Sequence, residues 1–389
     1  MTEPLRFLGP EPVARQVARS VSRRRLLAGI GVLGLGALTG CTASTQRMAD
    51  SPAPDGMVEN KLNLYSWGDY DDPELLDRFK DDHGLVLQVD SFGSNEEMIA
   101  KLAAARGTSG YDVVVPTGLM IPQMVEHNLL QPLDMDRIPN FSNIDPEFTG
   151  QYFDRDNTYS VCKAWGTTGF VYDTEVITRS MESWADFVDA AQNEADGRTA
   201  LLEDPWEVCS IALGSQGVSL NTTDDAELEE CRRIVVDELA PHIRAYLGNA
   251  ATGMAQGTVS LLQAFNGDAR QGMLEAGEGH TWRFVFPTPS ANLWMDNWCL
   301  ATGAPHPDAA HAFIDAMISP EAAIANVDYI GYPVGTRGLE EQAREAELED
   351  LDLIFPDQEV LDRLEASEYN EGQQARVEIF GAAQARSGA

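Results

Sequence analysis

The feature that most constrains the fold is an alternation of short β-branched runs with capped helical runs, which begins after the first sixty residues. The strand-like runs read KLNLYSW, LVLQVDSF and YDVVVP, and helical runs separate them. The first helical run has Asp72 as its N-cap, Pro73 at its first position and Gly84 as its stop. The second has Ser94 and Glu97 in the spacing of a capping box. Three strand–helix units in succession predict a mainly parallel sheet flanked by helices.

The second half of the chain repeats this alternation. Helical runs read SWADFVDAAQ and PDAAHAFIDAMISPEAAIANV, while WRFVFP and LWMDNWCLA read as strands. In TALLEDPWEVCSIALG a strand passes into a capped helix. About 330 residues follow the first sixty, which is too many for one small core. We therefore predict an α/β protein with two lobes of similar size.

The first forty residues read as an export signal rather than as part of the folded domain. An arginine triplet, Arg23–Arg25, precedes the apolar stretch Leu26–Leu38, which is well short of the roughly 20 residues that cross a bilayer. SRRRLL resembles a twin-arginine signal, and LTGC resembles a lipobox that would acylate Cys41. An ordinary secretory signal with basic residues is the alternative. We expect a lipoprotein signal over residues 1–40, a flexible tether over 41–60, and a protein anchored in the periplasm or on the outer face of the cytoplasmic membrane.

The chain is strongly acidic. It carries a net charge of −35, from 62 Asp and Glu against 27 Lys and Arg. This charge argues against nucleic acid or anionic lipid as a partner, and it favours cationic ligands. A salt-adapted protein would have the same acid-rich surface, so charge alone does not identify a ligand.

The cysteines and histidines do not form a metal-binding or redox motif. Cys162, Cys209, Cys231 and Cys299 follow Cys41, and none forms a CxxC pair. The six histidines are scattered, so we predict neither a metal site nor a cofactor. An exported protein can form disulfides, and Cys209 and Cys231, on two consecutive predicted helices, are the candidate pair.

Chemically distinctive residues lie at or near the ends of several predicted strands, where open α/β sheets bind ligands. They are Trp67, Asp69, Tyr70, Thr117, Asp204, Glu207, Phe265, Asp268, Trp294 and Asp296. Period-two alternation puts Trp294 and Asp296 on one face of a strand, where a buried acid needs a partner.

Most of these residues also have a structural interpretation. Trp67–Tyr70 is equally typical of a loop with a packed Trp, and Phe265–Asp268 of a turn with a core Phe. Asp204 and Glu207 have the spacing of a capping box. As a set, however, they are carboxylates interleaved with aromatic rings, without a Ser–His–Asp arrangement or a phosphate loop. Such a set suits a ligand with separated ammonium groups joined by methylenes.

Eight stretches occur in the order found in one family of transport proteins. They are LYSWGDY, SNEEM, YDVVVPT, NFSNIDPEF, AWGTTGF, SWADF, WMD and IGYP. From about Leu62 to the C-terminal region, the chain resembles the periplasmic spermidine/putrescine-binding proteins of ABC transporters. The resemblance implies the two-lobed flytrap fold of periplasmic binding proteins, with two or more crossovers and with the ligand between the lobes. Lobe one would hold residues 61–165 and 296–340, and lobe two residues 166–295 and 341–385.

The resemblance also implies roles for single residues. It implies ring contacts from Trp67, Tyr70, Trp294 and Tyr332, a hydroxyl contact from Thr117, ammonium contacts from Asp69, Asp204, Glu207, Asp268 and Asp296, and a C-terminal polar contact from Asn370. Phe265 stands where the family usually has Trp, Gly68 replaces a Ser or Thr, and Leu119 replaces a Tyr of spermidine binders. These departures keep the ammonium sites, thin the aromatic lining and leave the length of the polyamine open.

We therefore predict a monomeric extracytoplasmic receptor, not an enzyme, that captures putrescine or spermidine. It would deliver the polyamine to a membrane permease that is driven by a separate ATPase. One alternative is a receptor for another cationic or small organic solute. The other is an exported glycoside hydrolase, with Asp204 and Glu207 or Asp268 and Asp296 as its paired carboxylates.

Overall fold

The computed structural model describes residues 52–389. The predicted signal over residues 1–40, the predicted acylation site at Cys41 and most of the predicted tether lie outside the described residues. No helix within residues 52–389 is both long enough and apolar enough to cross a membrane.

The described residues contain strands and helices in alternation. The strands are β1 Lys61–Trp67, β2 Val86–Phe92, β3 Val113–Val114, β4 Leu130–Gln131, β5 Ser160–Asp173, β6 Thr199–Leu202, β7 Ile243–Leu247, β8 Leu261–Phe265, β9 Trp282–Val285, β10 Ala291–Ala301 and β11 Leu364–Ala366. The α-helices are α1 Pro73–His83, α2 Asn95–Ala105, α3 Ile121–Glu126, α4 Trp184–Gln192, α5 Pro205–Gln216, α6 Asp225–Arg232, α7 Ala250–Gln256, α8 Asn266–Ala276, α9 Pro307–Met317, α10 Pro320–Ile330, α11 Leu339–Glu345, α12 Leu351–Ile354, α13 Gln358–Leu361 and α14 Gln373–Ser387. A π-helical segment, Arg233–Leu239, continues α6.

Local sequence signals define the helix ends. Asp72 caps α1 by accepting a hydrogen bond from the Glu74 N–H at 2.9 Å, and Gly84 ends this helix with a φ of +62°. Ser94 caps α2 as predicted, since its hydroxyl accepts from the Glu97 N–H at 3.2 Å. The Glu97 carboxylate accepts from the Gly93 N–H at 2.9 Å, so the reciprocal half of the predicted capping box is replaced by a bond to the preceding residue.

The strands form one continuous network in the order β2-β1-β3-β10-β5-β8-β6-β7, with β4 and β11 beside β10 and β9 beside β5. β1 pairs in parallel with β2 and β3, and β6 pairs in parallel with β7 and β8. β10 runs antiparallel to β3, β4 and β5, and β5 runs antiparallel to β8 and β9. The α/β architecture is confirmed. The pairing is mixed rather than mainly parallel, because the long strands β5 and β10 run against most of their neighbours.

The strand β5 joins the two halves of this network. Residues 160–167 pair with β10, and residues 168–173 pair with β8 and β9. Thirteen of its fourteen residues are buried. A strand buried on both faces lacks alternation of apolar and polar residues, so the sequence pattern does not reveal it.

Hydrophobic residues pack on both faces of each half of the network. Leu64 and Val113 belong to a core on one face of the first half, and Tyr65 and Val114 to a core on the other face. Phe170 and its neighbour Val171 divide in the same way in the second half. We call the residues packed on the first pair of cores the first lobe, and those packed on the second pair the second lobe.

The C-terminal region contributes to both lobes. Leu339 of α11 and Ile354 of α12 pack in the first lobe, whereas Ile379 and Ala383 of α14 pack in the second. The chain therefore stays in the first lobe from α9 through α12, and α14 then joins the second.

The described end of the predicted tether is attached to the first lobe. The Asp308 carboxylate accepts hydrogen bonds from the Asp55 N–H at 2.8 Å and the Gly56 N–H at 3.0 Å. The Glu59 carboxylate accepts from the Ala309 N–H at 2.7 Å, in the first turn of α9. Residues 55–59 are thus held by the helix that begins near residue 307.

Candidate functional site

A cavity of about 160 Å³ lies where the two lobes meet. It opens beyond the carboxyl ends of β1, β6 and β8 and beside the middle of β10. The lining residues are Trp67, Gly68, Tyr70, Gly93, Ser94, Asn95, Glu96, Thr117, Leu119, Met120, Leu202, Glu203, Asp204, Trp206, Glu207, Phe265, Asp268, Asn292, Trp294, Asp296, Tyr332, Ser367 and Gln373. Ten of the twelve residues predicted to contact a ligand are among them.

Asp296 is the buried acid at the first-lobe side of the cavity. It lies on β10, is 6% exposed, and accepts a hydrogen bond from the Thr117 hydroxyl at 2.7 Å. Asn95 fixes Thr117 in turn, since its side chain accepts from the Thr117 N–H at 3.1 Å. Burial raises the pKa of Asp296 to about 6, against the opposing effects of the Thr117 hydrogen bond and of the nearby Tyr70 hydroxyl. Thr117, a predicted ligand contact, therefore also orients the acid.

Asp204 and Glu207 are the acids at the second-lobe side. Asp204 caps α5 by accepting from the Trp206 and Glu207 N–H groups at 2.8 and 3.0 Å. The Glu207 side chain does not turn back to complete a capping box. Its Oε1 accepts from the Asn292 side-chain amide at 2.7 Å, and its Oε2 has no hydrogen-bond partner among the described residues.

The charge state of Glu207 depends on how deeply its side chain is buried. The residue is 4% exposed, and burial together with the nearby Asp204 charge raises its pKa to about 8. The hydrogen bond from Asn292 and the nearby Thr168 hydroxyl oppose this rise. A neutral carboxyl at pH 7 can become a carboxylate when a cation arrives, so the arrangement suits a cationic ligand.

Asp268 and Tyr332 join the two lobes across the cavity. The Tyr332 hydroxyl donates to Asp268 at 2.6 Å, and burial raises the pKa of Asp268 to about 6. Gly267 allows this contact, because a Cβ atom at this position would lie 2.5 Å from the Tyr332 ring. Asp268 begins α8 of the second lobe, whereas Tyr332 packs in the first.

Aromatic rings form the walls between these acids. The Trp294 ring packs edge-to-face on Tyr332 and on Phe265, with ring centroids 4.9 and 5.6 Å apart. Trp67, at the carboxyl end of β1, packs on Phe92 with ring centroids 4.5 Å apart. A Cβ atom built on Gly68 meets no described atom within 4 Å, so the hydroxyl missing at this position is not excluded by packing.

Two predicted contacts lie outside the cavity. Asp69 is exposed, with a φ of +53°, and lines a neighbouring acidic depression together with Asp268 and Tyr332. Asn370 donates to the Asn221 carbonyl at 2.7 Å and accepts from the Gly372 N–H at 2.9 Å, so it holds the turn before α14. Three residues further on, Gln373 lines the cavity, and its Oε1 has no partner within residues 52–389.

The predicted disulfide is not formed. Cys162, Cys209, Cys231 and Cys299 are free, buried thiols in the described part of the chain. Cys231 donates to the Cys209 carbonyl, with Sγ and O 3.7 Å apart. The two residues are therefore neighbours on consecutive helices, as predicted. Each thiol contacts a backbone carbonyl, Cys231 that of Cys209 and Cys209 that of Arg376, without a covalent link between the two.

Sequence reasoning missed several residues of this site. Asn292 precedes Trp294 and Asp296 by two and four positions, so the same period-two alternation predicts it on the ligand face. Glu96 lies at the mouth, where burial and the Asp204 charge raise its pKa. For Gln373 no sequence pattern points to a site, because it stands in a short polar stretch at the start of a helix.

The electrostatics of the cavity are one-sided. Six carboxylates line it, namely Glu96, Glu203, Asp204, Glu207, Asp268 and Asp296, and none of the described lining residues is a lysine or arginine. Within residues 52–389, no group of three His, Cys, Asp or Glu side chains is arranged to hold a metal ion. Buried carboxylates beside ring faces can hold an organic cation through charge-assisted hydrogen bonds and cation–π contacts.

Comparisons with known proteins agree with this chemistry. Residues 74–350 match the sequence profile of a family described as bacterial extracellular solute-binding protein. The chain is 30% identical over 295 residues to a putrescine/agmatine-binding protein of Pseudomonas aeruginosa, a match that covers 72% of this chain and 79% of the relative. It is 31% identical over 276 residues to a spermidine/putrescine-binding periplasmic protein of Escherichia coli, covering 70% and 77%.

A solved structure shows the same fold. The putative spermidine/putrescine ABC transporter protein of Listeria monocytogenes superposes with a TM-score of 0.76 at 32% identity, over 84% of this chain and 99% of that protein. This similarity confirms the predicted two-lobed fold of periplasmic binding proteins.

Proposed function

Because the chain belongs to the family of bacterial extracellular solute-binding proteins, we propose that it captures a polyamine, putrescine or spermidine, and delivers it to an ABC permease. Members of this family are extracytoplasmic receptors and not enzymes, which removes the glycoside hydrolase alternative. The permease and its ATPase would be separate proteins of the same transporter.

One observation carries this proposal. The cavity between the lobes is lined by carboxylates and aromatic rings, and its described lining contains no basic side chain. Asp296 and Glu207 are 6% and 4% exposed, and no lysine or arginine forms an ion pair with either in the described part of the chain. Buried acids without a cation are costly, so a cationic ligand that neutralises them gains affinity.

The two ends of the cavity suit two different ammonium groups. At the second-lobe end, Glu207 Oε2, Asn292 Oδ1 and Gln373 Oε1 are buried acceptors that lack partners among the described residues. A primary ammonium has three N–H donors, which matches three free acceptors. At the first-lobe end, Asp296 would hold the other ammonium. The methylenes would pack on the rings of Trp67, Phe265 and Trp294. An ammonium group over a ring face would add a cation–π contact of roughly 0.5–2 kcal/mol.

The sequence-predicted site residues and lobe boundaries are part of the proposal. We propose ligand contacts from Trp67, Tyr70, Thr117, Asp204, Glu207, Phe265, Asp268, Trp294, Asp296 and Tyr332, with Asp69 attracting cations outside the cavity. The division of the cores supports a first lobe from 61–165 with 296–340 and a second from 166–295. The second lobe was also predicted to hold 341–385, and of this segment Ile379 and Ala383 pack in the second lobe whereas Ile354 packs in the first. Closure of the lobes would then enclose the ligand.

The mode of attachment to the cell is also proposed from the sequence. The predicted signal and Cys41 would give an acylated amino terminus that tethers a monomeric receptor at the outer face of the cytoplasmic membrane. Metabolic labelling of the expressed protein with a radioactive fatty acid tests this. Labelling that persists in a Cys41→Ser variant would contradict it.

Calorimetry on ligand-stripped protein tests the polyamine. Putrescine, cadaverine, spermidine, spermine, agmatine, a basic amino acid and a sugar form the ligand panel. We expect a diamine or polyamine to bind tighter than about 100 μM, which is roughly −5.5 kcal/mol. Weaker binding of every amine would reject the proposal.

A pair of variants tests the site itself. Asp296→Asn keeps the shape of the side chain and removes its charge, so we expect loss of binding with the fold retained. Asp156→Asn removes a charge at an exposed position that does not line the cavity, and it should bind as the wild type does. Retained affinity in Asp296→Asn would remove this acid from its proposed role.

A further inference from the structure

A lysine is buried directly behind the acid-lined cavity. Lys163 lies on β5 and is 2% exposed. A lysine side chain is rarely buried unless its charge is paired, because removing an ammonium from water is costly. Contacts within the protein must therefore stabilise its charge, because a cationic ligand would not.

A β-bulge places this lysine. On β10, Asp296 pairs with Ala164 and the next residue, Asn297, pairs with Cys162, so Lys163 is the extra residue of β5. Bulges of this kind change the direction of a side chain and occur beside functional sites. The bulge lies opposite the position of Asp296.

Four groups surround the Lys163 ammonium. Its Nζ donates to the Tyr70 carbonyl and to Asp71 Oδ1, each at 2.8 Å. The same atom lies 4.4 Å from the centroid of the Tyr70 ring and 4.3 Å from that of Trp298. The Asp71 side chain is 7% exposed, so the ion pair is almost completely removed from solvent. A carboxylate, a carbonyl and two ring faces thus hold one internal ammonium.

These contacts connect two parts of the ligand site. Tyr70 and Asp71 belong to the loop that follows β1 and forms one wall of the cavity, together with Trp67 and Gly68. Lys163 belongs to the strand that pairs with β10, which carries Asp296. A single ammonium therefore ties the wall to the strand of the main acid.

We infer that Lys163 is a positioning residue of the ligand site, which holds the loop of residues 68–72 against the strand of Asp296 by binding Asp71 and the Tyr70 carbonyl. The part of this inference that concerns ligand binding rests on the proposed function. The part that concerns the rigidity of the loop rests on the contacts of Lys163 alone. The same charge lowers the pKa of Asp296, against the effect of burial. The lysine thus also favours the ionised form of the acid that would bind an ammonium.

A double variant separates positioning from simple stabilisation. Lys163→Met alone would leave Asp71 buried and unpaired, which destabilises strongly. Lys163→Met combined with Asp71→Leu removes both charges and retains apolar side chains, and such replacements are often neutral for stability. We expect this protein to fold, with amide exchange over residues 67–72 at least tenfold faster and putrescine binding at least tenfold weaker.

The pH profile of binding adds a readout that stability alone would not change. The titratable groups that face Asp296 are Tyr70, Cys162, Lys163 and Tyr332. Of these four groups the double variant removes only Lys163, whose charge favours the Asp296 carboxylate. In the wild type, affinity should fall gradually below pH 8 as Glu207 becomes neutral, and more steeply below about pH 6 as Asp296 does. We call this steeper part the acid limb, and we expect it to begin at higher pH in the double variant.

A matched control removes another ion pair. Arg137 and Asp308 form a partly buried ion pair in the first lobe, and neither residue lines the cavity. Arg137→Met with Asp308→Leu should leave exchange over residues 67–72, the affinity and the acid limb at their wild-type values. Wild-type exchange in the Lys163 double variant would overturn the inference. Faster exchange with wild-type affinity and an unmoved acid limb would overturn it as well.

The inference can fail independently of the proposed function. If the wild-type protein binds no polyamine, the proposed ligand is rejected, and the exchange comparison still decides whether Lys163 orders the loop. If the wild type binds putrescine and the double variant binds it equally well, the role of Lys163 is rejected and the polyamine receptor stands.

Discussion

At the scale of single residues, Asn292 is a buried amide at the second-lobe end of the cavity, beside Glu207. It is 2% exposed, its amide donates to Glu207, and its Oδ1 has no partner among the described residues. An amide that both fixes an acid and presents a free acceptor discriminates between ligand ends by their number of N–H donors. Selectivity for primary amines should therefore depend on it.

Replacing Asn292 by Leu tests this role. The variant loses one acceptor and the donor to Glu207, so we expect putrescine to bind about tenfold or more weakly. Tetramethylputrescine has one N–H at each end and cannot use the third acceptor. It should therefore lose affinity only through the missing donor to Glu207, and its loss should be clearly smaller than that of putrescine. Titration of both ligands into both proteins gives the comparison. An equal loss for the two ligands would mean that Asn292 acts on shape and not on donor number.

Protons should leave the protein when the ligand binds. The pKa of Glu207 is about 8 in the empty site, so this group is mostly neutral at pH 7. A bound ammonium favours the carboxylate, so about one proton should be released per ligand, and affinity should rise by up to roughly tenfold per pH unit below pH 8. Calorimetry at pH 7 in buffers of different ionisation enthalpy measures this release.

The variant Glu207→Gln is the control for the proton release, because it has no proton to lose. It should bind weakly and abolish most of the release. The titration of Glu207 makes ligand affinity rise with pH, whereas it makes the stability of the empty protein fall with pH. The folded pKa lies above the value near 4.5 of a free glutamate, so this group favours the empty folded state below pH 4.5. That contribution is lost as the pH rises to about 8. Proton uptake on binding would contradict the proposed charge state.

At the scale of elements, the start of α5 has two roles at once. Asp204 accepts from two backbone N–H groups of its own helix and also lines the cavity. Asparagine caps helices about as well as aspartate does, so Asp204→Asn should change the melting temperature little. The lost charge should weaken putrescine binding at least tenfold.

Asp224 provides a matched control for this prediction. It caps α6 by accepting from the Ala226 and Glu227 N–H groups, in the same pattern as Asp204, and it does not line the cavity. Asp224→Asn should change neither the melting temperature nor the affinity. Wild-type affinity in Asp204→Asn would leave Asp204 with its capping role alone.

Elements with local signals were predictable, whereas elements defined by long-range contacts were not. The caps at Asp72 and Ser94 depend on residues two or three positions away, so the sequence reveals them directly. The strand β5 is buried on both faces and gives no alternation. Gln373 reaches the cavity only because α14 packs on α5 through Arg376, which lies 4.2 Å from the Trp206 ring. Asn370 was predicted in its place from family resemblance, and the turn before α14 uses it instead.

At the scale of the whole molecule, several side-chain contacts join the lobes without a ligand. Arg270 of α8 donates to the Asp328 carbonyl of α10 and to the Glu349 carbonyl. The bond from Tyr332 to Asp268 is another, because Tyr332 packs in the first lobe and Asp268 begins a helix of the second. A hydrogen bond to an acid contributes about 1.5–3 kcal/mol, which is enough to change the balance between open and closed lobes more than tenfold. We therefore expect the Tyr332 hydroxyl to contribute to the closure of the empty receptor.

Tyr332→Phe removes this hydroxyl and keeps the ring against Gly267 and Trp294. We expect the ligand-free variant to have a larger radius of gyration by small-angle X-ray scattering, and saturating putrescine to return it to the wild-type value. Its affinity should fall, because part of the binding energy is used to close the lobes. Tyr111→Phe is the control, since Tyr111 also donates to an acid at 2.6 Å, but both it and Asp90 lie in the first lobe. If both variants keep the wild-type radius without ligand, the Tyr332 bond does not hold the lobes together.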